Sequence, residues 1–138
     1  KQVNLAISLH APYDTLRSKI MPINRAYPLE ELMRTVREYI SVTNRRVTFE
    51  YILLRDVNDT EKCALELCSL LKGMNCYVNL IPYNETSHII YKKSEKDQIM
   101  KFYDVLKKHH IQVTIRKEFG TKVSAACGQL RSNYEEGA

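Results

Sequence analysis

Short apolar runs alternate with longer amphipathic segments along this chain. The runs are rich in β-branched and aromatic residues, so they predict strands. The predicted strands cover 3–8, 47–54, 76–81 and 111–116. Between them, apolar residues recur three or four positions apart, which predicts helices with one apolar face. The predicted helical faces lie within 29–40, 64–71 and 99–106, and a short helix is expected over 15–20.

The order of these elements predicts the fold. Strand and helix alternate along the chain, and every connection is long enough for a right-handed crossover, so we predict an α/β fold with a mainly parallel sheet. Ser8 and His10 come at the end of the first predicted strand, and Asn84 follows the third. Because ligands bind at the carboxyl ends of parallel strands, these residues indicate one ligand-binding edge, although each alone also fits a structural role.

Two polar residues have a specific local interpretation. Glu50 stands in the middle of an apolar predicted strand, where its carboxylate either faces a polar interior or pairs with Arg46 or a lysine at the rim. Both interpretations remain open. Asn58 precedes Glu61 by three residues, which is the spacing of a capping box, so Asn58 is predicted to cap the helix that Gly73 ends.

Composition and charge narrow the class of protein. At 138 residues and 44% hydrophobic content, the chain is long enough for one domain with a core. It contains no recognisable signal peptide and no apolar run near the length of a membrane span, so we expect a cytoplasmic protein without a membrane partner. The net charge of +5 favours an anionic partner, although charges spread along helices also fit a solvated surface.

The cysteines match neither a disulfide framework nor a zinc site. There are four, with no CxxC pair and no histidines at zinc-finger spacing, so they are expected to be reduced thiols. Cys68 is predicted to lie in the core and Cys63 at the surface. Cys127 stands between Ala126 and Gly128, where it fits a small buried hydrophobe as well as a nucleophile.

Five sequence motifs occur here in one order. They are Ser8-Leu9-His10-Ala11-Pro12, Met21-Pro22-Ile23-Asn24, Val57-Asn58-Asp59, Val78-Asn79-Leu80-Ile81-Pro82-Tyr83-Asn84 and Ala125-Ala126-Cys127-Gly128-Gln129-Leu130. Together they resemble the C-terminal half of the radical-SAM adenine methyltransferases that modify 23S rRNA and some tRNAs at adenine C2. A related methyltransferase that acts at adenine C8 shares the same scaffold, and C2 is the expected position here.

This resemblance implies a fold and a set of site residues. The fold is a partial (β/α)6 barrel, with 1–118 as the C-terminal half of the barrel and 119–138 as a C-terminal tail. Four residues are expected to contact S-adenosylmethionine (SAM), namely Ser8, Leu9, His10 and Asn84. Cys127 in the tail is expected to be the catalytic residue that carries the methyl group as S-methylcysteine.

The resemblance also implies a radical mechanism. One SAM methylates the cysteine, and a reduced [4Fe–4S] cluster cleaves a second SAM to a 5′-deoxyadenosyl radical that takes a hydrogen from the S-methyl group. The resulting methylene radical adds to the adenine, and a second cysteine releases the product through a disulfide. A radical is needed because the sp² carbon of adenine is a poor nucleophile, and a thiol suits the carrier role because a neighbouring thiol can expel it.

The motif that binds the cluster in the family is missing from this chain. The family uses CxxxCxxC, and no such spacing is present. The cluster ligands and the second cysteine are therefore expected upstream, so we predict that the chain is a fragment and inactive alone. Its implied partners are 23S rRNA and tRNA. Absence of the first barrel strands is expected to expose a sheet edge through which the fragment self-associates.

The chain departs from the family pattern in two places. Residues 85–91 replace a Pro/Gly-rich loop after Asn84, and 121–124 lack the acidic residues that commonly precede the cysteine. Both departures concern the substrate loops. Two alternative functions remain open at this point: methylation at adenine C8, and a stand-alone RNA-binding or ligand-binding α/β module that keeps the SAM loop without catalysis.

Overall fold

A parallel sheet with four strands forms the framework of the molecule. The computed structural model describes residues 5–84 and 90–116. The strands are β1 (Ala6–Ser8), β2 (Val47–Leu53), β3 (Cys76–Pro82) and β4 (Gln112–Ile115), and they lie in the sheet in chain order. The helices are α1 (Asp14–Ile20), α2 (Leu29–Thr43), α3 (Glu61–Leu71) and α4 (Lys96–Lys108), with a 3-10 helix over Pro22–Arg25. The predicted parallel α/β fold is confirmed.

The chain order of the strands explains why the sheet has two different faces. Successive right-handed crossovers between neighbouring strands place their helices on the same side of the sheet, as in a barrel wall. Along β2 and β3, every second side chain is buried and the ones between are mostly half-buried. The buried set packs with the apolar faces of the helices in one core, while the other face of the sheet stays open.

The open face carries a row of polar side chains. Strand register places Ser8 beside Glu50, Glu50 beside Asn79, and Asn79 beside Thr114. Paired residues of neighbouring parallel strands project to the same side of a sheet, so this row crosses all four strands. Arg116, just beyond β4, reaches back across β3 and donates to the Glu50 carboxylate at 3.1 Å. Glu50 therefore lies on this open polar face, and its partner is Arg116, not Arg46 or a lysine as the sequence suggested.

The start of α3 differs from the prediction. Thr60 is the N-cap, and its hydroxyl accepts a hydrogen bond from the Cys63 backbone N–H at 3.1 Å. The prediction that Asn58 caps this helix is wrong, since Asn58 lies fully buried before it. Cys63 is only 2% exposed, so its predicted surface position is wrong as well, because Cys63 lies on the side of α3 that faces the core. The core position of Cys68 is confirmed.

Glycine and aspartate define two helix ends. Gly73 follows α3 with a φ of 74°, a left-handed conformation that glycine adopts without a Cβ clash, so the predicted end of this helix is confirmed. Asp14 is the first residue of α1, and its carboxylate accepts from the Leu29 backbone N–H at 2.9 Å. This contact satisfies one of the free N–H groups at the start of α2 and ties the two helices together.

Candidate functional site

A short loop at the carboxyl end of β1 contains three of the predicted site residues. This 8–10 loop consists of Ser8, Leu9 and His10. Ser8 is exposed at the end of β1, and His10 is half-buried. Leu9 is fully buried in the core, backbone included, so it presents no surface to a ligand. Its backbone N–H donates to the Glu50 carbonyl at 2.9 Å, which fixes the loop against β2.

His10 adopts a strained backbone conformation. Its φ of 61° lies in the left-handed region, which costs a residue with a Cβ about 1–2 kcal/mol. Such a conformation persists only where the surroundings hold it in place. Three buried polar side chains around the loop provide these restraints, and none of them was predicted as a site residue.

Arg17 of α1 holds the first two carbonyls of the loop. Its guanidinium donates from Nη2 to the Ser8 carbonyl and from Nε to the Leu9 carbonyl, both at 2.9 Å. Arg17 is only 4% exposed. Burial lowers the pKa of this guanidinium and Asp14 opposes the change, but arginine remains charged at neutral pH. A buried charge is stable here because several hydrogen bonds compensate for its lost hydration.

Asn24, the asparagine of the Met21-Pro22-Ile23-Asn24 motif, orients that guanidinium. Its side-chain oxygen accepts from Arg17 Nη1 at 2.9 Å. Its amide nitrogen donates to the Ser18 hydroxyl at 2.9 Å and to the Asp14 carboxylate at 3.1 Å. The amide is 1% exposed and uses both its donor and its acceptor side. Asn24 therefore holds the Arg17 guanidinium in one orientation through Nη1, the nitrogen that does not bind the loop.

Asn58, from the Val57-Asn58-Asp59 motif, holds the third carbonyl of the loop. Its amide nitrogen donates to the His10 carbonyl at 2.8 Å and to the Ile52 carbonyl at 2.7 Å. Its side-chain oxygen accepts from the Leu54 N–H at 2.7 Å. The Tyr51 hydroxyl donates to the Asn58 carbonyl at 2.7 Å, so the residue is fixed through side chain and backbone alike.

The imidazole of His10 is held as a neutral ring. Its Nδ1 accepts from the Ile52 backbone N–H at 3.0 Å, which leaves the single proton of the neutral ring on Nε2. Burial, and secondarily the charge of Arg17, lowers the pKa of His10 from 6.5 to about 4, while Glu50 opposes the shift. The site therefore presents an N–H donor without a positive charge at neutral pH.

We predict that His10 does not titrate between pH 8 and pH 5. An unfolded histidine takes up a proton near pH 6.5, so the stability that neutral His10 contributes is fully present above that pH and is lost as the pH falls toward 4. Nitrogen-15 NMR of the apo protein, labelled at histidine, should show the Nε2–H tautomer throughout this range. A midpoint near the ordinary histidine value would contradict the assignment.

Of the two remaining predicted site residues, the structure describes Asn84 but not Cys127. Asn84 is exposed and lies just after β3, at the same sheet edge as the 8–10 loop. One strand separates β1 from β3, and Ser8 lies level with Asn79, three residues before the end of β3, so the two strand ends are about 14 Å apart. Cys127 and the predicted tail lie outside the described residues.

The described cysteines do not form an activated thiol or a metal site. Cys63, Cys68 and Cys76 are all buried. Burial raises the pKa of the Cys68 and Cys76 thiols to about 11, so neither is a thiolate at neutral pH. Within 5–84 and 90–116, no three His, Cys, Asp or Glu side chains converge as metal ligands. These residues therefore do not fit a [4Fe–4S] cluster. No helix in the same ranges has the length and apolar character that crossing a bilayer requires.

Curated relatives match almost the whole chain. The chain is 56% identical over 134 residues to the probable dual-specificity RNA methyltransferase RlmN of Spiroplasma citri, and 58% identical over 134 residues to the protein of the same name from Enterococcus faecalis. These matches cover 97% and 95% of this chain but 38% of each relative. The chain thus spans less than two fifths of the length of these relatives. No family model matches the chain.

Solved structures agree with these sequence matches. A radical SAM methyltransferase from Sphaerobacter thermophilus superposes with a TM-score of 0.85 at 48% identity, over 93% of this chain and 38% of that one. A domain of pyruvate-formate lyase-activating enzyme from Bacteroides vulgatus superposes with a TM-score of 0.66 at 18% identity, over 81% of this chain and 66% of that one, which supports the fold alone. By sequence and by fold, the chain is therefore similar to the C-terminal part of radical SAM methyltransferases of the RlmN type.

Proposed function

We propose that this chain is the C-terminal part of an enzyme that methylates C2 of an adenosine in 23S rRNA and in tRNA, with Cys127 as the methyl carrier. The observation that carries the proposal is the 8–10 loop, whose backbone is held rigidly at the carboxyl end of β1. The relatives are named as probable dual-specificity RNA methyltransferases, which supports an RNA substrate.

The 8–10 loop and Asn84 are the residues that hold SAM in this proposal. Ser8 offers an exposed hydroxyl and His10 offers an uncharged N–H donor, while the buried Leu9 between them anchors the loop in the core. The neutral state of His10 matters because SAM carries a positive sulfonium, which a protonated imidazole would repel. The described residues therefore fit SAM, which supplies the methyl group and, with a reduced cluster, the radical.

Cys127 is the methyl carrier in this proposal. A carrier thiol must react as a thiolate, and the pKa values of Cys68 and Cys76 are too high for that at neutral pH. Cys127 has alanine and glycine as neighbours, which suits close approach to a crowded site.

The cluster belongs to a segment outside this chain in this proposal. The sequence lacks CxxxCxxC, and the described residues contain no convergent ligand set. The described residues therefore do not hold the cluster, and we expect the chain by itself to be inactive. RNA phosphates are the anionic partners that the net charge of +5 favours.

Nucleoside mass spectrometry tests the site of methylation. The full-length protein, with its cluster reconstituted, is incubated with SAM and fragments of 23S rRNA or tRNA. We expect 2-methyladenosine in both RNAs, identified against synthetic standards of the 2-methyl and 8-methyl nucleosides. Formation of 8-methyladenosine would assign the protein to the C8 reaction, and binding of RNA without any methylated product would favour the non-catalytic module.

A further inference from the structure

The three carbonyls of the 8–10 loop all point into the protein. Arg17 binds the Ser8 and Leu9 carbonyls, and Asn58 binds the His10 carbonyl. A loop at the end of a strand in an open barrel normally leaves part of its backbone to water. Here every carbonyl of the loop accepts from a side chain that is at most 4% exposed.

The restraints come from both sides of the loop. Arg17 lies on α1, after the loop in sequence, and Asn24 fixes its guanidinium through Nη1 at 2.9 Å. Asn58 follows β2, and its amide also binds the Ile52 carbonyl. Ile52 in turn donates to Nδ1 of His10, so one segment of β2 sets the His10 backbone and, through its N–H, the His10 ring.

The inward orientation of the carbonyls fixes the backbone conformation and the ring orientation of His10. With its carbonyls held inside, the loop keeps the left-handed backbone of His10 and the ring orientation that directs the protonated Nε2 away from Ile52. Loss of the carbonyl contacts would let the backbone relax toward ordinary angles. Two motifs whose asparagines had no assigned role, those of Asn24 and Asn58, therefore support the loop that the first motif forms.

We propose that Arg17, Asn24 and Asn58 are positioning residues that hold the 8–10 loop in the geometry that binds SAM. None of the three is proposed to touch SAM, since all are buried behind the loop. The proposal rests on the assignment of SAM binding to this loop. It predicts that changing these residues weakens SAM binding more than their effect on stability explains.

Two conservative variants of the full-length protein test this proposal. Arg17→Lys keeps the buried charge but loses the planar fork that binds two carbonyls at once. Asn58→Asp is nearly isosteric but replaces the amide donors that face the His10 and Ile52 carbonyls with acceptors. Val36→Ala on α2 is the matched control, because Val36 is buried in the core and makes no hydrogen bond to the loop through its side chain.

SAM affinity is measured by isothermal titration at a temperature at which every variant is folded. We expect Kd to rise by about tenfold to a hundredfold in Arg17→Lys and Asn58→Asp, the range typical of residues that orient a binding group. Val36→Ala should leave Kd within about twofold of the unmodified protein while lowering stability. The nitrogen-15 signal of His10 should also shift in Asn58→Asp and stay unchanged in the control.

The outcomes separate this proposal from the proposed function. If the unmodified protein does not bind SAM, the assignment of the loop itself is wrong. If it binds SAM and both loop variants keep its Kd, the positioning role is wrong and the proposed function stands. If Val36→Ala loses as much SAM affinity as the loop variants, the loss comes from general destabilisation and the positioning role is wrong. If Asn58→Asp does not fold, Arg17→Lys decides the result.

Discussion

We expect the replacement of Cys127 with alanine to abolish RNA methylation by the full-length protein while SAM still binds. This is the largest effect that we expect, because in the proposed mechanism a carbon radical on a protein thiol attacks the adenine, and the three other cysteines of this chain do not suit that role. Cys68 and Cys76 are buried with their pKa values raised to about 11, and Cys63 is buried in the core. Methylated nucleosides and SAM affinity are measured on the same preparation.

Cys68→Ala is the control for the loss of a thiol. Cys68 packs in the core on α3 and is assigned no part in the site, so this variant should still methylate RNA. Methylation that persists in Cys127→Ala would overturn the carrier role of Cys127. An equal loss in both cysteine variants would show that the assay reports folding and not the carrier.

Replacing Phe102 with alanine lowers the free energy of unfolding by about 3–5 kcal/mol, the usual range for a buried aromatic residue. Phe102 on α4 is 1% exposed, and its ring lies 5.2 Å from the ring of Tyr51 between centroids. Tyr51 also donates to the Asn58 carbonyl. The cavity that the substitution leaves therefore borders Tyr51, which contacts one of the residues that hold the 8–10 loop. Guanidinium unfolding of the apo protein, followed by circular dichroism, measures the effect.

Val42→Ala provides the control for the Phe102 variant. Val42 lies on α2 with 79% of its surface exposed, so its removal should change the free energy of unfolding by less than about 0.5 kcal/mol. A loss below about 1 kcal/mol in Phe102→Ala would contradict this prediction and show that the contact between Phe102 and Tyr51 adds little to the stability of the fold.

The fold could be predicted because its determinants are local. Apolar periodicity is a property of neighbouring residues, and it indicated the four strands of the sheet, their helices and the parallel order. The ends of helices are harder to predict than the helices themselves, because a shift of one or two residues changes which side chain caps the helix. The sequence spacing pointed to Asn58 as the cap of α3, and the structure shows that Thr60 takes that role.

The supporting residues of the site could not be assigned from sequence. A charged residue in a short helix, such as Arg17, ordinarily lies at the surface, and nothing in its neighbours indicates burial. The pairing of Glu50 with Arg116 spans 66 positions and depends on strand register. A signal did exist for Asn24 and Asn58, since both stand in motifs of the resemblance, but their contacts with Arg17 and His10 follow only from the folded arrangement.

The methylation state of Cys127 tests the central claim most directly. The full-length protein, with its cluster reconstituted, is incubated with SAM labelled in the methyl group, and the peptide that contains Cys127 is analysed by mass spectrometry. We predict a labelled methyl group on Cys127 and, after RNA is added, transfer of that label to the adenine. An unmodified Cys127 in a protein that binds SAM and carries an intact cluster would contradict the account.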